Sequence, residues 1–271
     1  MPTRLSANLS LLFPDLPFRE RFAAAAAAGF DAVECQFPYE LPAAELARLL
    51  REYGLTLELI NLPAGDWAAG ERGIAMLPQR RDEFRAGVER ALEYAQALGV
   101  PRINCLAGIV PEGLPMSQAT VVLVDNLRHA AARLAPQGRT LLLEPINTFD
   151  MPGFGVSRLE QALEVLDMVG AENVRVQYDL YHATRMGDDV PAMLRRHLPR
   201  IGHIQIADVP GRHEPGSGAM AYRELFALLE TLGYASCVGC EYLPLRPEAG
   251  GTQAGLAWIA GHGLVLPRRQ S

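Results

Sequence analysis

The 271-residue chain contains no lysine, and all 25 of its basic residues are arginine. Schiff-base chemistry with a carbonyl substrate needs a lysine amine, as does the anchoring of pyridoxal phosphate. Both mechanisms are excluded by composition alone. Cysteine is scarce: Cys35, Cys105, Cys237 and Cys240 lie scattered in apolar surroundings. They read as small buried hydrophobes in a reducing compartment, not as a disulfide framework. Cys237 and Cys240 have C-x-x-C spacing, but no second pair or neighbouring histidine completes a zinc site, and they fall inside a strand pattern. No apolar run reaches the ~18 residues of a membrane span. The N-terminal "MPTRLSANLSLLF" lacks a signal-peptide core and cleavage site. A cytoplasmic protein with no membrane partner is the expectation. The net charge is −6 with no basic stripe, which disfavours a nucleic-acid partner.

Two periodicities alternate along the chain. "ELARLLREYG", "FRAGVERALEYAQALG", "SRLEQALEVLDMVG" and "LFALLETLG" repeat apolar residues at helical spacing and each closes on a glycine. The third is expected to open with a capping box of Ser157 and Glu160. Between the helical patterns lie eight short apolar runs: "RLSANL", "DAVECQ", "TLELIN", "RINCLAG", "TLLLEPIN", "VRVQYD", "IGHIQIAD" and "SCVGCEY". Strands joined through helices run parallel, and eight such units are the number that closes a barrel. The sequence therefore predicts an α/β fold, a single-domain (β/α)8 TIM barrel over residues 1–271. An open doubly wound sheet is the alternative, but no G-x-G-x-x-G or P-loop follows any strand.

In a parallel barrel the functional face is where strands end. The exits here carry Asn8, Glu34, Asn61, Glu144, Asp179, Gln205 and Glu241, whereas the strand interiors are mostly aliphatic. A lone carboxylate at a strand end is as often a cap or an ion-pair partner. Four oxygen donors on consecutive exits, Glu144, Asp179, Gln205 and Glu241, are harder to explain so. Clustered carboxylates repel unless a proton or a cation joins them, and an all-oxygen set suits Mg²⁺ or Mn²⁺. His182, three residues past Asp179, is placed in the barrel mouth within reach of a substrate oxygen. His203 shares parity with Gln205 and reads as a packed core residue, while His129 and His197 fall on helices. Arg212, in the loop "VPGRHEPGSG", offers a fork for a substrate carboxylate. The Gly- and Ala-rich loop at about 62–80, with Trp67, suits a lid over a small ligand.

Taken together, "LSANLS", "NLPAGDWAAGERGIA", "LLLEPIN", "QYDLYH", "IGHIQIAD" and "VGCEY" resemble the hydroxypyruvate isomerases. These belong to the sugar isomerase and epimerase superfamily of xylose isomerase-like TIM barrels. The likeness runs from about Leu5 to Trp258. It implies interconversion of hydroxypyruvate and 2-hydroxy-3-oxopropanoate, as in glyoxylate metabolism, with Glu144 and Glu241 as the catalytic pair. His182 and Arg212 are the expected substrate-binding residues. Related ketose epimerases hold their metal with Glu, Asp, His and Glu; the matching positions here are Glu144, Asp179, Gln205 and Glu241. The glutamine is shared with hydroxypyruvate isomerases. A divalent metal, Mg²⁺ or Mn²⁺, is the expected cofactor and a small 2-keto or hydroxy acid the expected partner; a homo-oligomer is compatible with the sequence. Competing readings are a 2-oxo-tetronate isomerase, a ketose 3-epimerase, a histidine-rich zinc phosphodiesterase of the endonuclease IV type, and a non-catalytic acid-binding barrel.

Overall fold

The computed structural model describes residues 3–248 and 250–267, so the two ends of the expected 1–271 domain lie outside the described residues. The strands are β1 (Leu5–Asn8), β2 (Ala32–Glu34), β3 (Thr56–Leu57), β4 (Leu59–Asn61), β5 (Arg102–Cys105), β6 (Thr140–Leu143), β7 (Val174–Asp179), β8 (Ile201–Ile206) and β9 (Val238–Cys240). Their order in the sheet is β3-β2-β1-β9-β8-β7-β6-β5-β4, all parallel. The helices are α1 (Phe18–Ala27), α2 (Ala43–Tyr53), α3 (Arg81–Leu98), α4 (Met116–Leu134), α5 (Leu159–Val169), α6 (Leu180–Arg185), α7 (Val190–His197), α8 (Tyr222–Thr231), α9 (Gly251–Gly255) and α10 (Ala257–Gly261). None of the described helices is long and apolar enough to cross a membrane.

Nine strands appear where eight runs were expected because "TLELIN" divides at Glu58. Its first half pairs with β2 and its second with β5. In a barrel each tilted strand meets one neighbour early and the other late, so a short strand is easily split this way. Hydrogen bonds still cross the division: Glu58 N donates to Val33 O at 2.8 Å and Asn61 N to Gln36 O at 2.8 Å. The ring is therefore closed.

Strand alternation sorts the side chains. In β1, Leu5 and Ala7 face the helices, while Ser6 and Asn8 turn inward to hydrogen-bond Glu34 on the neighbouring β2. In β6, Leu141 and Leu143 join the helix-facing core, and all three leucines of "LLL" are fully buried. Each such burial contributes about 1.5–3 kcal/mol. Helices α2, α3 and α5 end where read, with Gly54, Gly99 and Gly170 left-handed. The start of α5 differs from expectation. Gln161, not Glu160, closes the cap, its Oε1 accepting from Ser157 N at 2.9 Å and Arg158 N at 3.1 Å. The helix begins at Leu159, one residue later than the Ser157 box requires, so the third helical position is Gln161.

Candidate active site

The barrel interior holds two layers of buried polar groups. The lower one centres on Glu34, fully buried at the end of β2. Its carboxylate accepts from Ser6 Oγ (2.8 Å), Asn8 Nδ2 (3.1 Å) and Gln205 Nε2 (2.7 Å), and lies 2.9 Å from His203 Nε2. Burial alone would raise its pKa, but the His203 ring and these hydrogen bonds hold it below the ordinary value. Room for this carboxylate comes from β9: a Cβ on Gly239 would lie 2.4 Å from Glu34 Oε1. His203, read as a packed core residue, is fully buried in this layer.

Above it, Glu144 and Glu241 follow β6 and β9 into a cavity of about 290 Å³, whose lining also includes His182, Arg212, Trp67 and Asn61, and Asp179 at the end of β7 lies beside Glu144 and His182. Glu144 takes Asn104 Nδ2 at 2.8 Å, and Glu241 takes Gln36 Nε2 at 2.5 Å. Asp179 Oδ1 caps α6 by accepting from Tyr181 N at 2.8 Å. The remaining oxygens Asp179 Oδ2 and Glu241 Oε2 are buried without a hydrogen-bond partner among the described residues. Burial raises the pKa of all three acids; for Glu144 the charges of Glu241 and Asp179 add to it. Arg212 opposes this. Its Nη2 lies 3.6 Å from both Asp179 Oδ2 and Glu241 Oε1, and these carboxylates keep it charged despite burial.

The sequence placed Glu144, Asp179, Glu241, His182 and Arg212 together, and they are together. Ligand atoms of Glu144, Asp179 and His182 all lie within 4.8 Å of one another, a spacing at which a metal ion can be held. Gln205 is one layer down. Its Oε1 accepts from Gln177 Nε2 at 2.6 Å while its Nε2 is held by Glu34, so its carbonyl oxygen faces away from Glu34. Arg212 reaches the centre from a left-handed backbone, φ 58. The loop that imposes this conformation is tied by Asp208, whose side chain accepts from Val209 N, Gly216 N, Gly218 N and Met220 N.

His182 is buried, and burial with the nearby Arg212 and Arg185 charges drives its pKa well below the ordinary value. Its Nδ1 lies 2.6 Å from Asn147 Nδ2, and its Nε2 lies 3.6 Å from Asp179 Oδ2. Gln36, Asn104 and Asn147 were not singled out in the sequence. Gln36 and Asn147 close strand runs and Asn104 lies within one, but nothing local reveals their partners.

The 62–80 loop lies over the cavity. Trp67 packs against Phe37 at 5.2 Å between ring centroids, with the Arg72 guanidinium 4.2 Å over its ring. The loop's base is pinned: Gly73, at φ +121, approaches the exit of β5 so closely that a Cβ would lie 2.5 Å from Leu106 O. The reciprocal Cβ on Gly108 would meet Gly73 O at 2.3 Å. Met76 N continues the contact to Ala107 O at 3.2 Å.

With this geometry in hand, comparison with known proteins is informative. A family model described as "Xylose isomerase-like TIM barrel" matches residues 22–262. The chain is 49% identical over 256 residues to a 2-oxo-tetronate isomerase of Cupriavidus necator, covering 94% of this chain and 97% of that one. It is 48% identical over 256 residues to the hydroxypyruvate isomerase of Escherichia coli, covering 94% and 98%. A crystal structure titled AP endonuclease, family 2, from Brucella melitensis superposes with a TM-score of 0.92 at 45% identity, covering 96% and 99%. The chain belongs to the xylose isomerase-like TIM barrel family, as a homologue of its hydroxypyruvate and 2-oxo-tetronate isomerases.

Proposed function

We propose that this protein is an isomerase of hydroxypyruvate, converting it to 2-hydroxy-3-oxopropanoate by proton transfer between two glutamates. The observation that carries the reading is the pairing of Glu144 and Glu241 on one small cavity, both with raised pKa. Acid–base catalysis works best when the group titrates near the working pH, and burial moves these carboxyls that way.

The reaction moves one hydrogen from the hydroxymethyl carbon to the adjacent carbonyl carbon. One glutamate takes the carbon-bound proton, giving an enediolate; the hydroxyl proton passes from the former hydroxymethyl oxygen to the former carbonyl oxygen, and the other glutamate delivers a proton to the neighbouring carbon. Arg212, charged and with a buried Nε that has no hydrogen-bond partner among the described residues, is placed to hold the substrate carboxylate. His182 offers a ring nitrogen to a substrate oxygen. Trp67 and the 62–80 loop exclude water, which strengthens each of these interactions. Glu144, Asp179 and Glu241 would hold Mg²⁺ or Mn²⁺; Gln205, expected as the fourth ligand, has its Oε1 engaged by Gln177 in the layer below. The unpartnered Asp179 Oδ2 and Glu241 Oε2 and the all-oxygen donor set fit a hard cation. When bound, such an ion supplies Lewis-acid stabilisation of charge on the substrate oxygens.

A second reading, isomerisation of 2-oxo-tetronate, is favoured by the 49% identity to the Cupriavidus enzyme. The same groups would act on a chain one carbon longer. The zinc phosphodiesterase reading finds no cluster of histidines at the site, where His182 is the one histidine lining the cavity.

The test is an isomerisation assay on hydroxypyruvate and 2-oxo-tetronate, each with and without a chelator. Higher kcat/KM on hydroxypyruvate supports the proposal. Turnover confined to the longer acid selects the second reading, and binding of both without turnover leaves only the non-catalytic barrel.

A further inference from the structure

The hydrogen bonds of Asn147 fix more than its own position. Its Oδ1 accepts from two backbone amides, Phe149 N at 3.1 Å and Asp150 N at 2.9 Å. Its Nδ2 lies 3.0 Å from Asp150 Oδ2. That carboxylate also accepts from Tyr181 OH at 2.8 Å and pairs with Arg185 at 3.3 Å. Asp150 is held ionised, since Asn147, Tyr181 and Arg185 together outweigh its burial. An ionised carboxylate only accepts, and backbone N–H groups only donate. The amide of Asn147 therefore has one allowed orientation, oxygen toward the turn and nitrogen toward Asp150.

One Nδ2 hydrogen remains, and it points at His182 Nδ1, 2.6 Å away. A ring nitrogen facing an N–H donor at that distance must present its lone pair. The ring proton is then on Nε2, the nitrogen turned toward Asp179 and the cavity, which has no hydrogen-bond partner of its own among the described residues. An imidazolium is disfavoured for the same reason, because its Nδ1–H would confront the amide hydrogen.

We infer that Asn147 is a positioning residue that locks His182 as a neutral Nε2–H donor aimed at the substrate's carbonyl oxygen. Two consequences follow. His182 stabilises charge developing on that oxygen by hydrogen bonding, and any proton it gives up returns to the same nitrogen; a relay through Nδ1 is closed. His182 is also withheld from metal ligation through Nε2, because a nitrogen carrying a proton has no lone pair to give. Although His182 lies within 4.8 Å of Glu144 and Asp179, the metal set then consists of oxygen donors.

The kinetic consequence rests on the isomerase reading, whereas the tautomer does not, so two measurements separate them. In ¹⁵N-histidine-labelled protein, long-range ¹H–¹⁵N spectra distinguish protonated from lone-pair ring nitrogens. His182→Gln identifies which of the six histidines is His182. The expected pattern is a lone-pair Nδ1 and a protonated Nε2 in the native protein. Asn147→Asp replaces the donor by an acceptor and should move the proton to Nδ1. Asn147→Ala removes the partner and should give a mixture of tautomers, and it guards against misfolding of the charged variant. Isomerase kcat should fall about 10²-fold in Asn147→Asp, the scale of losing one donor to a developing oxyanion, with KM nearly unchanged. Asn147→Ala should fall less. A protonated Nδ1 in the native protein overturns the inference, as does an unchanged tautomer in both variants. The expected tautomers with no isomerase activity in the native protein would instead overturn the functional reading and leave the lock standing.

Discussion

Two buried acids in one barrel are treated in opposite ways. Glu34 and Glu241 are both almost wholly removed from solvent. Glu34 is met by four polar groups and is held below its ordinary pKa. Glu241 keeps one buried oxygen without a hydrogen-bond partner among the described residues, and burial lifts its pKa to about 8. A buried charge that is fully hydrogen-bonded is scaffolding; one left partly unsatisfied costs stability and is kept for what it can bind or do. The lower layer thus reads as the support of the upper one.

The sharpest way to break this contrast is to neutralise acids in each layer. Glu144→Gln and Glu241→Gln should each lower kcat by about 10²–10⁴-fold, the usual range for one acid–base group. Their melting temperatures should hold near neutral pH and rise at alkaline pH, where the native acids carry an unsatisfied charge that the glutamines lack. Near-native turnover in either variant would sink the two-glutamate scheme.

Glu34→Ala should behave in reverse. Removing one partner of a buried network costs about 3–5 kcal/mol, measurable as a shift of the urea midpoint. A loss below about 1 kcal/mol, within the range of an exposed ion pair, would deny the lower layer its structural role.

Metal addition probes the upper layer alone. If the Asp179 and Glu241 oxygens are a cation site, Mg²⁺ or Mn²⁺ at a hundred times its Kd stabilises the protein by about 2.7 kcal/mol. The thermal shift should vanish in Asp179→Asn and in the presence of chelator. A shift of equal size in Asp179→Asn would place the ion elsewhere.

The last effect is on pH dependence, and the two layers oppose each other. Glu241 is raised from 4.5 to about 8 on folding, so the chelated folded protein binds more protons than the unfolded chain across that window. Its contribution to stability is present at low pH and lost as pH rises toward 8. Glu34 is lowered, so its contribution is present above the carboxylate range and lost as pH falls below it. The slope from one such group is at most about 1.4 kcal/mol per pH unit. Chelated protein should therefore be most stable at intermediate pH, and Glu241→Gln should flatten the alkaline limb. An unaltered alkaline limb in that variant would assign it to other groups.

Much of this was legible in the sequence because it is local. The eight runs, the glycine stops and the acids at strand exits all follow from periodicities of two and 3.6. Glu34 and Glu241 look alike there, each a carboxylate closing an apolar run. What separates them is the count of partners drawn from other strands: Ser6, Asn8, His203 and Gln205 for one, Gln36 for the other. The division of the third run depends on barrel stagger, the lock on His182 on a turn folded back by Asn147, and the reach of Arg212 on a left-handed residue held by Asp208. None of these has a signature at fixed spacing.

The meeting of Gly73 and Gly108 bears on redesign of the entrance. There main chain touches main chain, with no side chain through which a neighbour could be adjusted. Beyond it, Gly155 N holds Gly108 O at 2.9 Å and Ile146 N holds Val156 O at 3.0 Å, a continuous seam ending two residues from Glu144. A graft that widens the pocket for longer acids can replace the tip, residues 65–72, and must be spliced before residue 73. Beyond that seam an insertion is no longer a change of entrance but a displacement of the Glu144 carboxylate.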